Sequence, residues 1–89
     1  MAKFACPCCG YKTLMEEPPG TYDICRVCFW EDDAVQYYDP DHKGGANGVS
    51  LRQGQKNYLK FGACKKDLLK YVRSPKEGEE KDENWRPLS

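Results

Sequence analysis

Four of the six cysteines in this 89-residue chain form two C-x-x-C pairs, and their spacing constrains the fold more than any other feature. The pairs are Cys6 with Cys9 and Cys25 with Cys28, giving the pattern C-x₂-C-x₁₅-C-x₂-C. Zinc prefers four ligands in a tetrahedron, and a tight C-x-x-C turn supplies two of them. The separation is typical of a four-thiolate zinc site. The pattern therefore predicts one structural Zn²⁺ bound by these four cysteines.

The two turns that carry these pairs differ in composition. We call residues 6–10 the first knuckle and residues 25–29 the second knuckle. In the first knuckle, Pro7 fixes φ, and Gly10 can adopt the left-handed conformation that points backbone N–H groups at the sulfur atoms. In the second knuckle, Arg26 stands where proline is common and Phe29 where glycine is common. The departures concern the shape of the second knuckle more than metal binding, because four thiolates are still available.

Other uses of the cysteines remain open. Three disulfides, a redox-active C-x-x-C pair and an iron site are alternatives, although disulfides require an oxidising compartment. Cys8 adjoins Cys9, and adjacent side chains do not easily reach one ion, so we expect Cys8 to be a small residue beside the metal. Exchange with Cys9 as a ligand, or a reactive thiol, are the alternatives for Cys8. Cys64 is expected to be a small buried hydrophobic residue rather than a further ligand.

The charge and hydropathy patterns limit the class of protein. The N-terminal sequence lacks the apolar region of a signal peptide, and no apolar run approaches the roughly 20 residues that span a bilayer. We therefore expect a cytoplasmic protein with no membrane segment. Fourteen basic and fourteen acidic residues balance, which removes the general electrostatic case for nucleic-acid binding. Residues 31–50 are nevertheless acidic, and residues 51–73 carry seven basic residues against one acidic residue.

The segment between the pairs has the period of a β-hairpin. Residues 11–15 and 21–24 read as strands, and Pro19-Gly20 suits a type II turn between them. A metal that clamps the open end would stabilise a hairpin that is marginal alone. The predicted fold is a small metal-stabilised α+β domain: a zinc-ribbon-like β-hairpin with two C-x-x-C knuckles and a C-terminal amphipathic helix.

That helix has clear start and stop signals. Ser50 and Gln53 form a capping box, and Gly62 is placed to end the helix after Phe61. A basic stripe along the helix is formed by Arg52, Lys56 and Lys60. A short helical turn is expected over 66–71. We assign residues 1–75 to the domain and expect the charged tail, residues 76–89, to be disordered with a mobile Trp85.

These motifs together resemble a known family. The segments that carry the resemblance are Cys6-Pro-Cys-Cys-Gly-Tyr, Cys25-x-x-Cys-Phe-Trp-Glu-Asp-Asp, Gly44-Gly-Ala-Asn, Ser50-Leu, Asn57-Tyr and Phe61-Gly-Ala-Cys64. They resemble the bacterial cysteine-rich family named for its CPCC motif, over roughly residues 4 to 75. The resemblance implies a small zinc-binding domain and no particular activity.

Three functions are compatible with this sequence. The leading hypothesis is a structural or adaptor module that binds another protein, with the aromatic residues Trp30, Tyr37 and Tyr38 as candidate contacts. The first alternative is a nucleic-acid-binding zinc ribbon that uses the basic stripe. The second alternative is a small metal-dependent hydrolase built on the acidic loop 31–42, with a second metal held by a subset of Asp33, Asp39, Asp41 and His42. A four-thiolate zinc has no open position and cannot itself activate water.

Overall fold

Two short strands flank the first knuckle in the computed structural model, which describes residues 3–88. Strand β1 is Phe4–Ala5 and strand β2 is Lys12–Leu14, and the two pair antiparallel. Helix α1 is Ala34–Tyr38, helix α2 is Leu51–Phe61, and a 3₁₀ helix covers Lys66–Tyr71. The result is a small α+β fold with a two-stranded antiparallel hairpin. No helix in residues 3–88 is long and apolar enough to cross a membrane.

The hairpin joins different strands from those predicted. Residues 12–14 pair with residues 4–5 across the first knuckle, whereas residues 21–24 contribute only an isolated bridge between Ile24 and Glu31 across the second knuckle. The predicted pairing of 11–15 with 21–24 is therefore wrong. Each knuckle reverses the chain, so the residues on its two sides pair locally. The Asp23 side chain accepts a hydrogen bond from the Met15 backbone N–H (2.8 Å), which takes the place of a strand ladder there.

Helix α2 begins and ends where its sequence signals predict. The Ser50 hydroxyl accepts a hydrogen bond from the Gln53 backbone N–H (3.1 Å), which satisfies one orphan donor of the first turn. The Gln53 side chain bonds forward to Asn57 (2.8 Å), so this half of the expected capping box is replaced by a contact along the helix. Gly62 ends the helix with a φ of +95°. The short helical turn expected over 66–71 is the 3₁₀ helix.

The core forms where the cysteines meet α2. Its members are the six cysteines together with Leu14, Val27, Trp30 and Leu51. Trp30 is only 1% exposed, which corrects the prediction that it is a surface contact for a partner. It directly follows the second knuckle and is packed under α2 at Gly54, where an added Cβ would lie 3.2 Å from the indole ring. The absence of a side chain at Gly54 lets the indole approach the helix backbone.

The tail lies against the domain, in contrast to the expected disordered segment. Glu79 is buried and receives two hydrogen bonds from Arg73, at 2.7 and 3.0 Å, and one from Lys3 at 3.3 Å. The Arg73 guanidinium lowers the pKa of Glu79 to about 2. The Trp85 indole N–H donates to the Pro7 carbonyl (3.0 Å). Composition averages over a segment and therefore misses the few anchors that hold it.

Candidate metal centre

The two knuckles place four sulfur atoms together in the core. The Sγ atoms of Cys6, Cys9, Cys25 and Cys28 all lie within 4.8 Å of one another, and all four residues are buried. The Sγ atoms of Cys6 and Cys28 are 3.6 Å apart, and those of Cys9 and Cys25 are 3.7 Å apart. Sulfur atoms around a tetrahedral zinc ion with bonds of about 2.3 Å are separated by about 3.8 Å. The cluster therefore fits a four-thiolate metal site.

The same backbone hydrogen bonds shape both knuckles. In the first, the Gly10 N–H donates to the Cys6 carbonyl (2.8 Å), and the Cys6 N–H donates to the Tyr11 carbonyl (2.9 Å). In the second, the Phe29 N–H donates to the Cys25 carbonyl (2.8 Å), and the Cys25 N–H donates to the Trp30 carbonyl (2.9 Å). Both closing residues have a positive φ, +82° at Gly10 and +70° at Phe29. Each turn thereby directs both of its sulfur atoms into the four-cysteine cluster.

The part of the chain that carries both knuckles matches a known protein family. The family model described as cysteine-rich CPCC matches residues 4–79, which include both knuckles, α2 and the 3₁₀ helix. The chain belongs to this family. Its defining motif is the Cys6-Pro7-Cys8-Cys9 stretch of the first knuckle, hereafter the CPCC loop. The search of curated proteins gives no match.

Several donors point at the sulfur atoms from the CPCC loop and its surroundings. The Cys8 N–H lies 3.4 Å from the Cys6 sulfur, and the Cys28 N–H lies 3.5 Å from the Cys25 sulfur. The Thr13 hydroxyl on β2 donates to the Cys25 sulfur at 3.0 Å. Such contacts orient thiolate ligands and offset part of their negative charge. The sequence pattern gave no signal for Thr13, because its role depends on the strand pairing that brings β2 beside the second knuckle.

Burial and the hydrogen bonds among the four thiols shift their pKa values. Burial raises the pKa of Cys6 and of Cys28, and a side-chain hydrogen bond with Cys25 raises the pKa of Cys9. The pKa of Cys25 is lowered, because hydrogen bonds from the neighbouring thiols, first of all Cys28, stabilise its thiolate. A metal bound by all four residues must therefore displace protons. Its affinity should rise with pH.

The other two cysteines are buried outside this group of four. Cys8 and Cys64 are each 1% exposed. Burial raises the pKa of Cys64 to about 12, which leaves its thiol protonated and unreactive at neutral pH. The backbone N–H of Cys64 donates to the Cys28 carbonyl (2.8 Å), so the residue links the second knuckle to the end of α2. The side chain of Cys8 lies against α2, 3.3 Å from the position of a Cβ on Gly54.

The acidic loop is used for local structure. Asp33 caps α1 and accepts a hydrogen bond from the Ala46 N–H (2.8 Å), which lowers its pKa. Asp41 pairs with Arg52 at 2.8 Å. Within residues 3–88, the cysteine cluster is the single group of three or more His, Cys, Asp or Glu residues close enough to share an ion. Neither Asp39 nor His42 is brought to such a group, so the second metal site of the hydrolase hypothesis is not assembled.

Two buried amide side chains were missed from sequence; Gln55 supports the metal centre, and Gln36 supports the loop over residues 42–49. Gln55 on α2 donates to the Pro7 carbonyl of the CPCC loop (2.8 Å) and accepts from the Leu88 N–H (2.7 Å). Gln36 is fully buried and donates to the carbonyls of His42 and Val49, both at 2.9 Å. A glutamine within a helix usually indicates a solvent-facing position. These two become structural only when loops distant in sequence fold over them.

Proposed function

We propose that this protein is a zinc-binding module in which one structural Zn²⁺ joins the two knuckles, and that it acts by binding another protein. The observation that carries the metal assignment is the cluster of four buried sulfur atoms with separations near those of a tetrahedral zinc–thiolate site. Backbone and hydroxyl donors to these sulfur atoms support thiolate ligation. The donor set is closed, so the metal would have a structural role.

The small hydrophobic core favours a metal that is needed for folding. Among residues 3–88, four fully buried residues other than the cysteines belong to the hydrophobic cluster, and five partly buried ones pack against it. A chain of this size has little core to offset its conformational entropy. Structural zinc sites in small peptides contribute about 10–16 kcal/mol to folding at neutral pH. Zinc would therefore be the largest single contribution to the stability of this domain.

Metal analysis tests the first part of the proposal. The full-length chain, purified under reducing conditions from zinc-containing medium, is expected to hold one zinc ion per chain by mass spectrometry of the metal. Cys25→Ser should lose the metal and cooperative thermal unfolding, because three thiolates and a hydroxyl form a much weaker site. Cys64→Ser is the matched control: it is equally buried but lies outside the cluster, and it should retain one zinc ion. A wild-type chain that unfolds cooperatively without metal under these conditions would contradict the proposal.

Exposed apolar side chains on the surface support the proposal that the protein binds another protein. Helix α1 exposes apolar side chains to solvent, with Val35 at 58% and Tyr38 at 75% exposure. Aromatic residues are enriched in protein interfaces. The basic stripe is a weaker candidate for contacting phosphate, because Arg52 is paired with Asp41. Lys56 and Lys60 of this stripe are exposed.

A salt titration separates the two kinds of partner. Binding of a double-stranded oligonucleotide, measured by fluorescence anisotropy at two salt concentrations, is expected to be weak or absent. A nucleic-acid-binding domain instead loses affinity steeply as salt increases, because each phosphate contact releases counterions. Tight binding with a steep negative salt slope, abolished by replacing both Lys56 and Lys60 with Gln, would assign the basic stripe to nucleic acid and overturn the protein-binding part of the proposal.

A further inference from the structure

A partly enclosed cavity of about 260 Å³ lies beside the second knuckle. Four apolar side chains from separate parts of the chain contribute to its lining: Ile24, Phe29, Val49 and Leu68. Ligand cavities are usually apolar with a small number of polar groups that fix the ligand's orientation. The volume is slightly below the range of about 300–1,000 Å³ for drug-sized ligands, which limits an occupant to a small molecule.

Two residues of opposite charge, Glu31 and Lys65, are also among those that line this cavity. The backbone of Glu31 is fixed by Asn47, which accepts from the Glu31 N–H and donates to the Glu31 carbonyl, both at 2.8 Å. No ion pair or hydrogen bond within residues 3–88 involves the Glu31 carboxylate. The Lys65 ammonium has one distant and exposed partner, Asp67 at 3.8 Å, and such pairs contribute little to stability. Glu31 and Lys65 therefore line one cavity without pairing with each other.

Glycine at position 48 makes room for the lysine. A Cβ added to Gly48 would lie 2.7 Å from the Lys65 Nζ atom. A side chain at position 48 would have to displace this end of the flexible lysine side chain. The Lys65 ammonium therefore lies close to Gly48, which also lines the cavity.

We propose that this cavity binds a zwitterionic α-amino acid with an apolar side chain. The ligand's ammonium group would pair with Glu31 and its carboxylate with Lys65, while its side chain packs on the apolar lining. A ligand with one charge would engage only one of these two residues, whereas a zwitterion offers each of them a group of opposite sign. This inference goes beyond the proposed zinc role, because the cavity and its charges lie outside the four-cysteine cluster.

A ligand series tests both charges separately. Zinc-loaded, ¹⁵N-labelled full-length protein is titrated with leucine, N-acetylleucine, leucinamide and glycine while amide chemical shifts are recorded. Leucine is expected to shift the amides of Gly48, Lys65 and Leu68. N-acetylleucine lacks the ammonium charge and leucinamide lacks the carboxylate, so each should bind about tenfold more weakly, the equivalent of about 1.4 kcal/mol. Glycine should bind more weakly than leucine because it has no side chain to bury.

Charge-neutralising variants assign each end of the ligand. Glu31→Gln should weaken leucine and leucinamide about tenfold and leave N-acetylleucine unchanged, whereas Lys65→Gln should weaken leucine and N-acetylleucine and leave leucinamide unchanged. Lys66→Gln is the matched control on a neighbouring exposed lysine that does not line the cavity. The proposal is overturned if leucine causes no saturable shifts, if N-acetylleucine binds as well as leucine, or if only Lys65→Gln has an effect. One zinc ion per chain in each variant separates these outcomes from failure of the metal site.

Discussion

The two knuckles have the same backbone and different side chains at the residue that closes the turn. Each closing residue donates its N–H to the carbonyl of the first cysteine of its pair, and each has a positive φ. In the first knuckle this residue is Gly10, which adopts the left-handed conformation at no steric cost. In the second it is Phe29, for which that conformation costs about 1–2 kcal/mol.

Aromatic packing accounts for the difference. The Trp85 ring from the tail occupies the space where a side chain on Gly10 would be, and an added Cβ would lie 2.6 Å from two of its ring atoms. At the second knuckle the closing residue supplies the ring itself: Phe29 stacks on Tyr71 of the 3₁₀ helix at a centroid distance of 5.3 Å. Both turns are covered by an aromatic ring, but only the first depends on a distant segment to provide it.

Among substitutions at the residues that close the two turns, the largest effect is expected at Gly10. Gly10→Ala introduces left-handed strain and a methyl group that collides with Trp85, so it should reduce the free energy of unfolding of the zinc-loaded protein by about 2–4 kcal/mol. Urea unfolding followed by circular dichroism measures this change. The tail should also detach, which tryptophan fluorescence reports, because Trp30 stays buried in the core while Trp85 becomes solvated.

A double-mutant cycle with Trp85→Ala separates the two causes. When the indole is absent, Gly10→Ala should cost only the backbone strain of about 1–2 kcal/mol, so the two substitutions should be strongly non-additive. Asn84→Ala, on an exposed neighbour of Trp85, serves as the control and should be close to neutral. Additive effects would mean that the tail does not rest on the first knuckle in solution, as the composition of residues 76–89 predicted.

Much of the helical structure could be predicted from sequence because its signals are local. Helix α2 begins after Ser50, whose side chain accepts a hydrogen bond from the Gln53 N–H, and ends at Gly62, whose N–H donates to the Tyr58 carbonyl. Both bonds join residues only a few positions apart. Pairing of the strands could not be predicted in the same way. Residues 11–15 and 21–24 have strand period, but period does not identify a partner, and the knuckle turns bring β1 rather than residues 21–24 beside β2.

The cysteine cluster shows what a sequence motif can and cannot predict about a site. The C-x-x-C spacing pointed to the four residues whose sulfur atoms the structure brings together. It could not indicate Thr13 or Gln55, whose contacts with the knuckles depend on tertiary packing. Trp30 was misplaced on the surface for the related reason that an aromatic residue between a cysteine motif and an acidic run carries no signal of what covers it. Gly54, which makes room for that ring, likewise gives no sign of this role in the sequence.

The smallest effect, and the sharpest comparison of the knuckles, is expected at Phe29. Phe29→Ala removes the stack on Tyr71 and retains the strain, so it should destabilise the protein by about 1–2 kcal/mol, which includes the pair energy of about 0.5–1.5 kcal/mol. Phe29→Gly also removes the stack but relieves the left-handed strain. We expect it to be more stable than Phe29→Ala by about 1 kcal/mol and to lie close to the wild type. Urea unfolding of the three zinc-loaded proteins measures both differences.

Which of the two Phe29 variants is more stable tests whether the turns are equivalent. The left-handed backbone should make glycine more stable than alanine at both positions. At position 10 the wild-type glycine is better than alanine, and at position 29 the introduced glycine should be better than alanine. Phe29→Gly falling below Phe29→Ala would mean that the second knuckle does not hold a left-handed residue, and that the equivalence of the two turns fails. Tyr71→Ala provides the control for the ring contact: it should destabilise the wild type but leave the stability of Phe29→Gly nearly unchanged.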